Sequence, residues 1–518
     1  MMGKVLALAP EEFVRLLAKQ SSVWRRSGGF AGKRHRRNLR RRWIRLYKSK
    51  RGIQSLAQYG RPEVGILASD VEVSPESSII LLLPDNRYLD EQSGEPDSDV
   101  DGKIIPPQGA SVNSRRELRR LIHSATASRS QTTLELINAS HTYRQSLPSV
   151  ARVRQGKRLA LRGIYLEALG MAILPRLEQP MIEILQKQGA EVLTNSEILV
   201  NAPDTVRLET PPDFWHRRIL PNAGAEPQDY RGKGISIGIL DTGIDPDHPE
   251  FSHKDIVYSE FDENGILVEN APKRDFGTHG THVAGICVGQ TAGIAPDAHL
   301  SVAAALTSTR DGQLRGSFAQ MLGALNWLID QAGPDANGVE IINASLGTPH
   351  MNPGDIKSLH ETINNASKLG VVVVAAIGNN GHLGGGNHSF PGKLDNVIGV
   401  GAIDRNDRVA VFSDWGRSYG EAGRRGRRKP NIVAPGVDIH SALAGGGYAS
   451  MNGSSMATPC VSGALALILE DARSRKTSAP QHFVDALMTL TRYSDVWADD
   501  DPRVGKGCVH LDGLVPGP

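Results

Sequence analysis

From Tyr230 to about residue 475 the chain alternates short apolar runs with longer segments of helical period. The runs Ile235 to Leu240, Val339 to Ala344 and Val371 to Ala376 are apolar almost throughout and end in polar or glycine residues. That pattern predicts strands buried on both faces, as in a parallel sheet covered by helices. Val461 to Leu469 is apolar on every side and predicts a buried helix. Pro459 is expected in its first turn, where a missing N–H costs nothing. Upstream, Ala168 to Leu174 reads as a strand, Gln179 to Gln188 as a helix with Met181, Ile182, Ile184 and Leu185 on its apolar side, and Ala190 to Val200 as a second strand, together a small β-α-β unit. No internal repeat is visible. The fold class expected is α/β, and in such sheets the carboxyl ends of the strands carry the chemistry.

Composition narrows the setting. The chain has 518 residues, 39% apolar and 22% charged, which excludes a disordered or fibrous protein. Its 3 cysteines, Cys287, Cys460 and Cys508, allow one disulfide at most and favour a reducing compartment. No apolar run reaches the roughly 20 residues that span a bilayer. The opening stretch Val5 to Ala9 runs into Glu11 and Glu12 and is too short for a secretion signal. A soluble, cytoplasmic protein with no membrane partner is expected.

The net charge of +3 conceals an asymmetry, because residues 21–51 hold 13 Lys or Arg and no acid. This stretch suits either a solvated basic face or contact with an acidic protein or nucleic acid. Residues 84–102 reverse the sign, with Asp85, Asp90, Glu91, Glu95, Asp97, Asp99 and Asp101 among Pro, Gly and Ser, and read as an exposed acidic linker. The expected organisation is a basic N-terminal segment (1–62), an accessory region containing the linker (63–150), the β-α-β unit (151–205), the main α/β domain (206–475) and a C-terminal extension (476–518). A second basic stretch, Arg424 to Lys429, is expected to be an exposed loop.

Five short blocks carry candidate chemistry. Asp241-Thr242-Gly243 follows the first apolar run, where a turn can fix a carboxylate. His279-Gly280-Thr281-His282 comes 38 residues later and can place an imidazole at the amino end of a helix. Zinc is not expected there, since no Glu separates the histidines in the helical metalloprotease pattern and no third ligand cluster is evident. Asn452-Gly453-Ser454-Ser455 puts Ser455 at the amino end of the buried helix, where free N–H groups favour negative charge. Asn379 leaves a buried strand into a glycine-rich loop and can donate to a developing oxyanion. Ser345-Leu346-Gly347 is a strand exit whose backbone edge can pair with an extended peptide. Taken singly, each block has an ordinary structural reading as a strand-exit turn, a helix cap or a loop.

In this order the blocks resemble the subtilisin-like serine proteases, whose Asp, His, Ser order is a known example. Pro391-Gly392, Val411-Phe412-Ser413 and Ala434-Pro435-Gly436 belong to the same resemblance, which runs from about 205 to 475. It implies a subtilisin-like parallel sheet flanked by helices and a serine endopeptidase acting on protein or peptide substrates. In it Ser455 is the nucleophile, His279 the general base and Asp241 the group that orients the imidazole. Asn379 and the Ser455 N–H form the oxyanion hole, while Ser345, Leu346, Gly347 and Ala376 bind substrate. No cofactor and no catalytic metal are implied. The β-α-β unit takes the position of the family's propeptide, which templates folding and plugs the cleft. Ser454 stands where the family usually has Thr, and Cys460 where it often has His. The connection from Cys287 to Ala295 is shorter than in members with a calcium-binding loop there. Restraint of the protease by the N-terminal region, peptide transpeptidation or macrocyclisation, and a regulatory binding protein with a silenced protease fold are the other functions in view.

Overall fold

A computed structural model describes residues 205–220, 230–310, 313–334, 338–351, 353–419, 426–475, 481–512 and 514, and before them 78–82, 164–166, 171–175, 191–193, 195 and 197–199. The basic segment 1–62, the acidic linker 84–102, the helix expected over 179–188 and Arg424-Arg425 lie outside the described residues.

The first sheet is antiparallel. It joins β1 (Ser78–Leu82), β2 (Ile164–Leu166), β3 (Met171–Pro175) and β4 (Glu191–Leu193) in the order β2-β3-β1-β4. The strand expected over 190–200 is in fact two. It breaks after Leu193, and β5 (Glu197–Leu199) leaves the first sheet to pair with a strand of the main domain. The interruption, Thr194-Asn195-Ser196, is polar, and Asn195 Oδ1 accepts the Ala319 N–H at 2.8 Å, tying the break to the main domain. A short strand, β6 (Val206–Arg207), follows.

The second sheet has ten strands. In chain order its strands, interleaved with those of three smaller sheets, begin with β7 (Ser236–Asp241), β8 (Ile256–Phe261), β9 (Leu267–Val268), β10 (His299–Ala304), the hairpin β11 (Ser308–Arg310) and β12 (Gln313–Ser317), β13 (Ile341–Ala344), β14 (Val372–Ala376) and β15 (Ile398–Ile403). Then come the pair β16 (Gly416–Arg417) and β17 (Arg428–Lys429), β18 (Ile432–Pro435), the hairpin β19 (Ile439–Ala442) and β20 (Tyr448–Met451), and finally β21 (Thr491–Arg492) and β22 (Cys508–Val509). The smaller sheets are β11-β12-β5, β16-β17 and β19-β20-β6; the other strands from β7 onward form the large one. The spatial order is β21-β22-β18-β15-β14-β13-β7-β10-β8-β9. Pairing is parallel from β22 to β8, and the antiparallel β21 and β9 close the two edges. Every residue of β7, β13, β14 and β15 is buried, as their unbroken apolar runs require.

Five α-helices cover this sheet among the described residues: α1 (His279–Val288), α2 (Phe318–Asp330), α3 (Pro353–Lys368), α4 (Ser454–Ser474) and α5 (Gln481–Thr489). α1 and α4 share one apolar core with Ile237, Ile239, Val374 and Val400. α2 and α3 pack in a second core that also takes in Leu166, Met171, Ile173, Leu193 and Ile198. The small sheet therefore buries its apolar side against the helices of the main domain. No described helix is long and apolar enough to cross a membrane.

Two expectations are corrected. Pro459 lies in the second turn of α4, because the helix begins at Ser454, several residues before its apolar run. Lys429, expected on an exposed basic loop, is fully buried. Its Nζ donates to Val397 O at 2.5 Å and to Asn431 Oδ1 at 2.6 Å, and burial brings its pKa down to about 7.

Candidate active site

The site lies at the carboxyl ends of β7, β13 and β14 and at the amino ends of α1 and α4. Asp241, the last residue of β7, is fully buried; its Oδ1 accepts the Thr242 N–H at 2.7 Å and the His279 Nδ1–H at 2.7 Å. His279 opens α1 and is 2% exposed. The approach of α1 to the turn after β7 depends on Gly280. A Cβ there would lie 2.1 Å from Gly243 O, closer than any side chain tolerates. Burial works against a charged imidazole at 279, but the charge and hydrogen bond of Asp241, with the charge of Asp275, outweigh it and raise its pKa above the ordinary value.

Asp275 was not singled out by sequence. Its carboxylate accepts from Thr242 Oγ1 (2.6 Å), Thr281 Oγ1 (2.6 Å) and the N–H groups of Gly277 (3.0 Å) and Thr281 (2.8 Å). It thus ties the turn after β7 to the first turn of α1. Its sequence signal is an acid just before a helix start, the ordinary mark of a cap.

Ser455 is the second residue of α4 and 6% exposed. Pro459 has no N–H to give to the carbonyl four residues back, which is that of Ser455. Ser345 Oγ–H fills this place at 2.9 Å, and Ser455 Oγ–H donates to Ser345 O at 3.1 Å. The exchange locks α4 to the exit of β13. Asn343 Nδ2 in turn donates to Ser345 Oγ at 3.0 Å, and Asn343 Oδ1 accepts from Ser462 Oγ at 2.9 Å. In this arrangement Ser455 does not bond His279, whose buried Nε2 has no hydrogen-bond partner.

Asn379 follows β14. Its Oδ1 accepts the N–H and the Oγ–H of Ser454, each at 2.9 Å, so the side-chain oxygen is held. A pocket of about 140 Å³ is lined by Ser345, Leu346, Gly347 and Ala376 together with Gly378, Asn379, Ser389 and Ser455. Six of the eight residues proposed from sequence line this pocket; the other two, Asp241 and His279, bond each other and are not among its lining residues. Ser389 was not singled out by sequence, and Gly378 was read only as part of the glycine-rich loop that Asn379 enters.

The neighbouring histidine has no such role. His282 is buried, donates from Nε2 to Ile439 O and Ala449 O at 3.1 and 3.0 Å, and burial lowers its pKa to about 3. No cluster of three metal-ligating side chains occurs among the described residues. Cys287, Cys460 and Cys508 are free thiols and buried; burial pushes Cys287 and Cys508 up to about 12 and Cys460 well above the ordinary range. In the short connection after α1, Glu250 is the organising group: its carboxylate accepts the N–H of Thr291 (2.8 Å) and Ala292 (3.1 Å), Thr291 Oγ1, and Tyr448 Oη (2.8 Å).

The sheet, the helix pair and the ordered blocks define an α/β protein of the subtilisin type, and the chain matches the Subtilase family (Peptidase_S8) over residues 232–506. It belongs to that family. It is similar to subtilisin E of Bacillus subtilis (strain 168), 34% identical over 248 residues, 47% of this chain and 57% of that protein. It is likewise similar to the major intracellular serine protease of Bacillus subtilis (strain 168), 31% identical over 310 residues, 57% of this chain and 85% of that protein. With subtilisin DY of Bacillus licheniformis the figures are 33% over 294 residues, 56% and 93%. The match covers little more than half the length of subtilisin E and of several other subtilisins.

Proposed function

We propose that the chain is a serine endopeptidase that hydrolyses peptide bonds through an acyl-enzyme. The observation that supports this reading is a serine at the amino end of a buried helix and an amide with a held oxygen lining one pocket, in a domain that also holds a buried Asp-bound imidazole at the start of the helix packed against α4. Ser455 Oγ attacks the carbonyl of a bound peptide while His279 Nε2 takes its proton. Asn379 Nδ2 and the Ser455 N–H donate to the oxyanion that forms. The imidazolium, stabilised by Asp241, then gives its proton to the departing amine, and water resolves the ester by the same steps in reverse. The unpartnered Nε2 of His279 fits a base waiting for its proton. Turning Ser455 away from Ser345 O is the motion this scheme requires, and resting enzymes often make such hydrogen bonds only once substrate is bound.

Ser345, Leu346, Gly347 and Ala376 line the pocket for the side chain before the cut, and the free edge at 345–347 takes the substrate main chain. The small sheet is read as a propeptide-like unit, supported by the shared core with α2 and α3 and by the pairing of β5 with β12. Three free thiols support a reducing, cytoplasmic setting.

The direct test is labelling with a fluorophosphonate, followed by peptide mapping. The label is expected on Ser455, and Ser455→Ala is expected to lose both labelling and cleavage of a denatured protein substrate. Cleavage retained in that variant would overturn the assignment. Fragments whose summed mass exceeds the parent by one water mark hydrolysis; head-to-tail products without that water would mark transpeptidation instead.

A further inference from the structure

Asp414 is fully buried beside the loop that carries Asn379. Its main-chain N–H donates to Gly378 O at 3.1 Å, and its Oδ2 accepts the Asn380 N–H at 3.0 Å. Two residues before Asp414, Phe412 O accepts the Gly381 N–H at 2.8 Å. The segment 412–414 therefore grips the loop on both sides of Asn379. Gly378 sits at a φ of +113°, and a Cβ on it would lie 2.3 Å from Asp414 Oδ2 and 2.8 Å from Ser389 Oγ. The carboxylate fills the space that a side chain at 378 would need. Its Oδ1 is buried with no hydrogen-bond partner. Burial raises the carboxyl to about 6, against the Asn380 hydrogen bond and the charges of His382 and Lys393. A buried carboxylate using half its acceptors is a costly way to hold one amide. What it offers is a rigid, charge-assisted acceptor that has no donor to offer in the wrong orientation.

We propose that Asp414 is a positioning residue for the oxyanion donor: it fixes the residues flanking Asn379, so that with Asn379 Oδ1 held by Ser454 the Nδ2 group points at the reacting carbonyl. This rests on the reading of Asn379 given above. Asp414 touches no substrate and acts through Asn379.

The test is a double-mutant cycle on the full chain, with steady-state hydrolysis of a chromogenic peptide as readout. Asp414→Ala is expected to lower kcat about 10- to 100-fold with KM changed less than about 3-fold, since a misplaced donor weakens the transition state rather than substrate binding. Asp414→Asn, which retains an acceptor for the Asn380 N–H, is expected to recover most of that loss. In an Asn379→Ala background, Asp414→Ala is expected to cost less than about 3-fold, because the group it positions is gone. Losses that multiply across the two sites, or a loss borne by KM, would overturn the proposal. Should Asp414→Ala not fold, Asp414→Ser runs the same cycle with the same expected non-additivity. A wild-type chain that neither cleaves peptides nor takes a fluorophosphonate would instead defeat the protease reading itself, so the two failures are distinct.

Discussion

His279 shows how one contact sets opposite trends in activity and stability. Its pKa is raised in the folded chain, so the Asp241 pair stabilises the fold most at pH below the unfolded imidazole value and loses that contribution as pH rises through the folded value. In the proposed mechanism proton abstraction from Ser455 needs the neutral ring, so kcat/KM should fall on the acid side with a midpoint above the ordinary histidine value. A pH–rate profile checks this; a midpoint below the ordinary value would contradict it. Glu250 runs the other way. Burial alone would raise its pKa, but hydrogen bonds from Thr291, Tyr448 and Ala292 lower it. Its contribution is present above the unfolded carboxylate value and fades as pH falls through the folded one. Glu250→Gln should cost about 1–3 kcal/mol at neutral pH and flatten the acid side of the stability profile in urea melts. Asn379→Ala should lower kcat about 10²- to 10³-fold with KM little changed.

At the scale of elements, the strands that position the site were legible because burial on both faces leaves an apolar run that nothing else produces. β7, β13 and β14 match the runs read from sequence to within two residues at each end. At α4 the sequence placed Ser455 at the amino end correctly but put Pro459 in the first turn, because Ser454 to Thr458 has no apolar period to show that the helix already runs there. What holds that turn is tertiary: Ser345 Oγ donates to the carbonyl that Pro459 cannot serve. Ser345→Ala should therefore leave the Ser455 carbonyl short of a donor and lower stability by about 1–3 kcal/mol, with Ser345→Thr retaining more of it. Thermal melts of the two variants decide the point; equal melting temperatures for wild type and Ser345→Ala would show that water serves the carbonyl as well. The networks of Asp275 and Asn343 were illegible for the same reason, since a buried polar side chain is named by its partners and not by its own segment.

At the scale of the molecule, two regions extend beyond what the motifs mark. The main sheet continues past residue 475, with β22 beside β18, and Val484, Leu487, Val509 and Leu511 complete the core under α4. At the other end, the small sheet takes its third strand in spatial order, β1, from Ser78–Leu82, far upstream of its partners β3 and β4. Strand pairing over such a distance leaves no local signal, so the sequence suggested a unit beginning near 151. The consequence is testable by truncation. Removing residues 1–77 takes away none of the described strands, while removing 1–150 takes away the strand between β3 and β4 and leaves both without their shared neighbour. If the small sheet restrains the protease by lying on α2 and α3 and by adding β5 to β12, the longer truncation should weaken that hold and raise peptide hydrolysis above that of the shorter one. The two truncated chains are to be compared at equal titres of fluorophosphonate-reactive Ser455. A longer truncation no more active per labelled site than the shorter would show that the sheet is a fixed accessory and that restraint, if any, lies elsewhere.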